Sequence, residues 1–180
     1  MAVSHFHVVF WFAALVKSQM RSITVALALI IAITLPHSAA AELADEIIRA
    51  QVVQIVDGDS LTIVIDGERV RVRLAEIDAP ESKQPYTKRS KKSLSNLCFW
   101  REAELTSITK DQYGRILARV KCKGVDVNAE QVKRGMAWVY EKHAKDPELY
   151  KLQAEARAAK RGIWSTKYPV PPWQWMKENR

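Results

Sequence analysis

Histidine is nearly absent from the bulk of this chain. Of its four histidines, His5, His7 and His37 lie within the first 41 residues, leaving His143 alone in the remainder, in a charged stretch that reads as solvent-facing. One imidazole cannot build a His-Cys zinc site, a Ser-His-Asp triad or a two-histidine phosphodiesterase centre. Glycine is scarce as well. The D-G pairs at 57–58 and 66–67 match neither the P-loop nor the dinucleotide fingerprint, so phosphate-cradling loops of those kinds are excluded. Only two cysteines occur, Cys98 and Cys122. The longest apolar stretch, residues 23–35, has the length of the core of an export signal and is short for a membrane span.

The first 41 residues differ in material from the rest. Met20-Arg21 opens a short basic region, the apolar run follows, and Ala39-Ala40-Ala41 before Glu42 forms a small-residue cleavage site. A second apolar patch at 6–16 makes Met20 an alternative start, with residues 1–19 as an overhang. An uncleaved anchor is the rival reading of the same segment. The cysteine count agrees with export, because a pair in an oxidising compartment can close a loop of roughly 25 residues and contribute roughly 3 kcal/mol. Two unrelated buried thiols are the alternative.

With 180 residues the chain suits one domain, expected over 42–165, followed by a Pro/Trp-rich tail at 166–180. The net charge is +8, and beyond residue 41 there are 26 basic against 20 acidic residues. That surplus favours a polyanionic partner without naming it, since solvated lysine faces give the same balance.

Residues 47–56 read as a strand, ended by Asp57-Gly58. Leu61, Ile63 and Ile65 alternate with Thr62 and Val64, and Asp66-Gly67 signals a tight hairpin into a third strand. Residues 86–97 suit a basic surface helix, and 103–109 and 116–122 read as strands around K-D-Q-Y-G-R. In V-N-A-E-Q-V, Asn128 and Gln131 suggest a reciprocal cap, with Val127 and Val132 as a staple and Gly135 as the stop. A last helix opens at Asp146-Pro147 and closes at Gly162, and the Y-P-V-P-P-W-Q-W tail is expected to lie extended. This order predicts an α+β, mainly β domain: a five-stranded Greek-key barrel of the oligonucleotide-binding type with about three helices, preceded by a signal segment.

The third strand contains an irregularity. In R-V-R-V-R-L-A-E-I-D-A-P-E (69–81), Val70, Val72 and Leu74 share one face, but after Leu74 the apolar residues change parity and the polar ones become Glu76, Asp78 and Glu81. A bulge or bend there would bring Arg73, Glu76 and Asp78 to one side of the sheet, with Pro80 fixing the exit. Together with Asp57, Asp59 and Arg115, which stand at other turns, this sets hard oxygen ligands beside guanidiniums able to grip a phosphate. A surface ion pair and ordinary turn chemistry are the bland readings of the same residues.

The stretches V-V-Q-I-V-D-G-D-S, R-V-R-L-A-E-I-D-A-P-E, D-Q-Y-G-R, N-A-E-Q-V-K-R-G and R-G-I-W, in that order over roughly 47–165, resemble the staphylococcal (micrococcal) nuclease family. The resemblance implies a Ca²⁺-dependent, sugar-nonspecific nuclease acting on DNA and RNA, with Mg²⁺ or Mn²⁺ as alternative metals. It implies Asp59 and Asp78 as metal carboxylates, Ala79 as a ligand through its main-chain carbonyl, and Glu81 as general base. Arg73 and Arg115 correspond to the phosphate-binding arginines, and Tyr113 to the tyrosine that seats a terminal phosphate. Ala79 stands where threonine is common, and Gln112 replaces a lysine of the staphylococcal protein. The basic segment 88–92 departs from the staphylococcal loop and reads as a face tracking a nucleic-acid backbone or as solvated helix surface. The cysteine pair and the tail look like exported Gram-negative relatives, implying a periplasmic or secreted destination. A monomer is the default expectation, without stable membrane association once the signal is cleaved. The alternative function is a catalytically weak nucleic-acid-binding barrel.

Overall fold

Alternating apolar residues curl five strands into a closed barrel. The computed structural model describes residues 47–179, so the expected export segment, its cleavage site and the alternative start at Met20 lie outside the described residues. Strands β1 (Ile48–Ile55), β2 (Ser60–Ile65) and β3 (Glu68–Leu74) form an antiparallel meander. Asp66 and Gly67 both take positive φ, 51° and 83°, which is the two-residue hairpin geometry that D-G favours. In β1 the register against β2 slips between Val52 and Gln54, so Ala50, Val52 and Ile55 all reach the core despite their mixed parity.

Strand β5 (Glu102–Lys110) pairs with β1, and β6 (Ile116–Cys122) pairs with β5. Closure comes from a parallel pairing of β3 with β6, from Val72 opposite Ile116 to Leu74 opposite Ala118. The expected five-stranded barrel is therefore present. Two-residue strands β4 (Ile77–Asp78), β7 (Val125–Asp126) and β8 (Trp138–Val139) decorate it, with β4 and β8 paired apart from the main sheet. Val52, Leu61, Ile63, Val72, Leu74, Leu105 and Val120 fill the interior without measurable exposure. Four α-helices occur among the described residues, one more than expected. None of them is long and apolar enough to cross a membrane.

Helix α1 (Thr87–Cys98) buries Ser90, Ser93, Leu94 and Leu97 and leaves Lys88, Arg89, Lys91 and Lys92 exposed, as the basic-helix expectation required. Its packing on the 57–59 turn is close: a Cβ added at Gly58 would lie 1.9 Å from Ser90 Oγ. Glycine is thus demanded there by contact, since no side chain fits between turn and helix. Cys98 ends α1 and Cys122 ends β6, and the two form a disulfide with Cα atoms 5.5 Å apart. Replacing both by alanine should lower stability by roughly 3 kcal/mol through the freed loop. Urea unfolding of the variant checks this, and an unmoved midpoint would refute it.

Three local expectations are corrected. Helix α2 (Val127–Lys133) is capped by Asp126, whose carboxylate accepts the Ala129 N–H at 2.9 Å, and not by Asn128 and Gln131. The acid one residue before the helix takes the capping geometry, which turns both amides inward. Helix α3 (Pro147–Ala158) opens as expected, with Asp146 capping Glu148 N–H, but ends four residues before Gly162. Gly162 instead begins a 3₁₀ turn, Gly162–Ser165, where a Cβ would lie 2.1 Å from Gly135 O. The tail is not wholly extended: Pro172–Glu178 forms helix α4, because proline at the first helical position has no N–H to satisfy.

Candidate functional site

The phase change after Leu74 is a turn between two strands. Glu76 takes a left-handed conformation with φ 65°, ending β3 and letting β4 start on a new heading with Ile77 and Asp78 both buried. Asp59 enters from the other side. It closes the 57–59 turn, where Asp57 Oδ1 accepts the Asp59 N–H at 3.0 Å, and it precedes Ser60, which is paired across the hairpin with Arg73.

Arg73 joins the two carboxylates. Its Nη1 donates to Asp59 Oδ1 at 2.7 Å, and its Nη2 donates to Asp78 Oδ1 at 2.6 Å and to Ile77 O at 3.3 Å. Ser60 Oγ donates to Asp59 Oδ1 at 3.0 Å, and Ala79 N–H to Asp59 Oδ2 at 2.7 Å. Asp59, Arg73, Asp78 and Ala79 are thus brought together as expected. Asp59 and Asp78 are only 3 % and 4 % exposed, far too buried for an ordinary surface ion pair.

Negative charge is in excess here. Burial is the largest influence on Asp59 and pushes its carboxyl up to about 7; Arg73 pulls it down, while Asp57 and Asp78 push it further up. Burial also raises Asp78 against the opposing pull of Arg73. Glu81, half-buried just beyond Pro80, is raised by burial first and then by Asp78 and Asp57, with Arg73 and Arg115 pulling it back. A carboxyl raised in this way is a stronger proton acceptor than an ordinary glutamate.

These raised carboxyls also test the fit of a cation. No group of three Asp, Glu, His or Cys among the described residues is arranged to hold a metal on side chains alone. Asp59 and Asp78 do supply hard oxygens next to the Ala79 backbone, and hard cations complete their shells with carbonyls and water. A divalent cation would offset the negative charge that these grouped carboxylates carry out of water, so the donor set fits Ca²⁺, Mg²⁺ or Mn²⁺ and not zinc.

Arg115 and Tyr113 come from the turn between β5 and β6. Asp111 organises that turn, its Oδ1 accepting the N–H groups of Tyr113 and Arg115 at 2.9 and 3.0 Å. Arg115 Nε donates to Asp111 Oδ2 at 2.7 Å, so this guanidinium is held by Asp111 and makes no ion pair with Asp59, Asp78 or Glu81 among the described residues. Burial pushes the Asp111 carboxyl up, but the Arg115 side chain and the two N–H groups together outweigh it and hold it below the usual carboxylate range. Tyr113 is 75 % exposed, with the Arg115 guanidinium 5.6 Å from its ring centroid. Its ring is free to meet a ligand.

Glu76 corrects the expected grouping, since its side chain leaves Arg73 and Asp78. Glu76 Oε2 accepts Arg119 Nη1 at 2.9 Å, and Oε1 accepts the N–H groups of Lys145 and Asp146 at 2.6 and 3.1 Å. The left-handed backbone aims it there. Arg119 also donates to Asp126 and forms an ion pair with Asp146 at 3.1 Å, tying β6 to the starts of α2 and α3. Burial pushes the Glu76 carboxyl up, but the two N–H groups and Arg119 outweigh it and leave it below its ordinary value. A depressed folded pKa gives stability that is full above the unfolded value and is lost as pH falls through the folded one. Glu76→Gln should therefore cost roughly 2 kcal/mol above about pH 5, with the difference from the parent vanishing in stronger acid. Urea midpoints of the two proteins at several pH values measure it; comparing them cancels titrations common to both, such as that of Asp59. A pH-independent difference would refute it.

Two positioning residues serve a role different from the one their motif suggests. Asn128 Oδ1 accepts Val120 N–H at 3.0 Å and its Nδ2 donates to Ala75 O at 2.8 Å, holding the turn that launches β4. Gln131 Nε2 donates to Gly58 O at 2.6 Å and to Ser90 O at 3.3 Å, holding the turn that carries Asp59. Their signal in the sequence is an amide pair on one helical turn, which competes with the capping pattern.

The chain matches the family model described as staphylococcal nuclease homologue over residues 71–166. Its relatives include an uncharacterized endonuclease of Escherichia coli, 44 % identical over 129 residues that span 71 % of this chain and 84 % of that protein. Protein ParB of Escherichia coli is 38 % identical over 143 residues, 73 % of this chain and 81 % of that one. Micrococcal nuclease of Shigella flexneri is 36 % identical over 143 residues, 73 % of this chain and 82 % of that one. With the barrel, the Arg73 fork between Asp59 and Asp78, and these likenesses together, the chain belongs to the staphylococcal nuclease family.

Proposed function

We propose that this protein hydrolyses phosphodiester bonds of DNA and RNA, with little preference for the sugar, at the site built on Asp59, Arg73, Asp78 and Glu81. The observation that carries this reading is the Arg73 guanidinium forked between two buried carboxylates. The family and the printed names of the relatives, endonuclease and micrococcal nuclease, support it.

Asp59, Asp78 and the Ala79 carbonyl would hold the cation, for which Ca²⁺ is proposed. When bound, it supplies positive charge to a phosphoryl oxygen. Attack on the phosphorus builds negative charge on the equatorial oxygens, and Arg73 and Arg115 offer fixed guanidiniums to receive it. Glu81, its carboxyl raised by burial and acidic neighbours, takes the proton of the attacking water. An arginine side chain stays protonated, so Arg115 stabilises the leaving oxygen by charge and does not give it a proton. Tyr113 offers an exposed ring and hydroxyl to seat a terminal phosphate or a base. The exposed cations Lys88, Arg89, Lys91 and Lys92 on α1 give a polyanion a face to follow.

An exported location, periplasmic or secreted, is part of the same proposal. It accords with the Cys98–Cys122 disulfide, since reducing compartments keep thiols free. A monomer without stable membrane association completes it. The test is incubation of the protein with single-stranded DNA and with RNA, in Ca²⁺ and in chelator. Cleavage of both in Ca²⁺ and of neither in chelator is the expected result, and no metal-dependent cleavage of either substrate would end the proposal.

A further inference from the structure

The loop that carries Glu81 is fastened to a distant part of the chain. Glu81 N–H donates to Gln84 Oε1 at 2.9 Å, and Gln84 Nε2 donates to Val170 O at 2.7 Å, 86 residues further on. Gln84 is 7 % exposed and spends both ends of its amide on main-chain groups. Gln84 N–H in turn donates to Glu81 O at 3.0 Å, and Thr87 Oγ1 donates to Glu81 O and, at 2.6 Å, to Gln84 O. Lys83 and Tyr86, neither of them glycine, are held at φ 65° and 73°. Such conformations persist when the surroundings over-determine them.

The tail provides those surroundings. Between loop and tail lies a cavity of about 200 Å³, lined by Gln84, Tyr86, Tyr168, Val170 and Trp175 among others, so apolar filling is incomplete there. The Gln84 amide joins loop and tail at the edge of that space, and Tyr86 and Ser165 hydroxyls join at 2.6 Å beside it. The tail is anchored by Trp173, whose ring lies 5.9 Å from that of Trp138 and 5.6 Å from that of Tyr140, beside the Trp138–Trp164 contact at 4.2 Å. Trp138 belongs to β8, the partner of β4, with Trp138 directly opposite Asp78. The aromatic anchor and the acidic site therefore rest on the same two-stranded ladder.

We propose that Gln84 is a positioning residue for Glu81, and that the C-terminal segment around Val170 acts through it as a clasp setting where the Glu81 carboxylate stands. The proposal rests on the reading of Glu81 as the base. Gln84 touches no reacting atom; it fixes the backbone from which the base projects. A base displaced by about 1 Å loses on the order of 10²-fold in rate. Gln84→Met preserves the side-chain length while removing both hydrogen bonds. It should lower kcat roughly 10- to 100-fold with KM unchanged, and Trp173→Ala, which loosens the anchor, should move kcat in the same direction.

A double-mutant cycle with Glu81→Gln separates positioning from general loss of structure. If Gln84 acts through Glu81, Gln84→Met costs nothing further once Glu81→Gln is in place. An equal fall of kcat in both backgrounds would overturn the proposal. Full activity of Glu81→Gln itself would overturn the base assignment and this inference with it, whereas full activity of Gln84→Met beside an inactive Glu81→Gln overturns the inference alone. Hydrogen exchange at the Glu81 amide in the full chain gives a readout independent of activity. The amide should be protected in the parent and exposed in Trp173→Ala, and unchanged protection would count against the clasp.

Discussion

Arg73→Ala should lower the rate of phosphodiester cleavage by about 10²- to 10³-fold, the usual loss when one fixed donor to a developing oxyanion is removed. It should also destabilise the fold by roughly 3–5 kcal/mol, because Asp59 and Asp78 would be left buried without their common partner. Both losses come from one side chain, so kcat/KM must be read on protein shown to be folded, below its own urea transition. Arg73→Lys separates them. A lysine keeps one positive charge near the carboxylates but cannot fork between Asp59 and Asp78, so stability should recover more than activity. Activity within twofold of the parent in a folded Arg73→Ala protein would contradict the assignment.

The second large effect is expected at Glu81. Glu81→Gln keeps the shape of the side chain and removes its ability to accept a proton, and a positioned base contributes about 10²- to 10⁴-fold. Stability should hardly change, because the Glu81 hydrogen bonds run through its main chain to Gln84 and Thr87. A fall in kcat with an unmoved unfolding midpoint would identify Glu81 with the chemistry and not with the fold. Undiminished cleavage by the variant would mean that the activity belongs to another protein in the preparation, or that another group activates water.

The barrel was largely legible because its evidence is local. Alternation in β2 and β3, the Asp66-Gly67 hairpin and the Asp146-Pro147 helix start each act within a few residues and met no competing force. The acidic site was legible as a disturbance in that alternation, and Asp59, Arg73, Asp78 and Ala79 do converge. Glu76 departs from its alternation for the opposite reason: its own left-handed backbone redirects its carboxylate to Arg119, and alternation carries no trace of that choice. Asn128 and Gln131 fit a capping pattern, yet Asp126 caps and the carbonyls of Ala75 and Gly58 draw the two amides inward. The helix at Pro172 is masked in the sequence because proline excludes a helix interior but suits its first position. Gln84 has no local signature, since its partner Val170 is reached only through the tertiary fold.

The cation site is tested most directly by a calorimetric titration of Ca²⁺ into the purified protein and into Asp78→Asn. The break in β3 is held to build a cation site from Asp59, Asp78 and the Ala79 carbonyl. The expected result is saturable binding of one ion by the parent and loss of that binding by a folded Asp78→Asn protein. Binding of equal strength in both, or cleavage by a parent protein that binds no divalent cation, would contradict it.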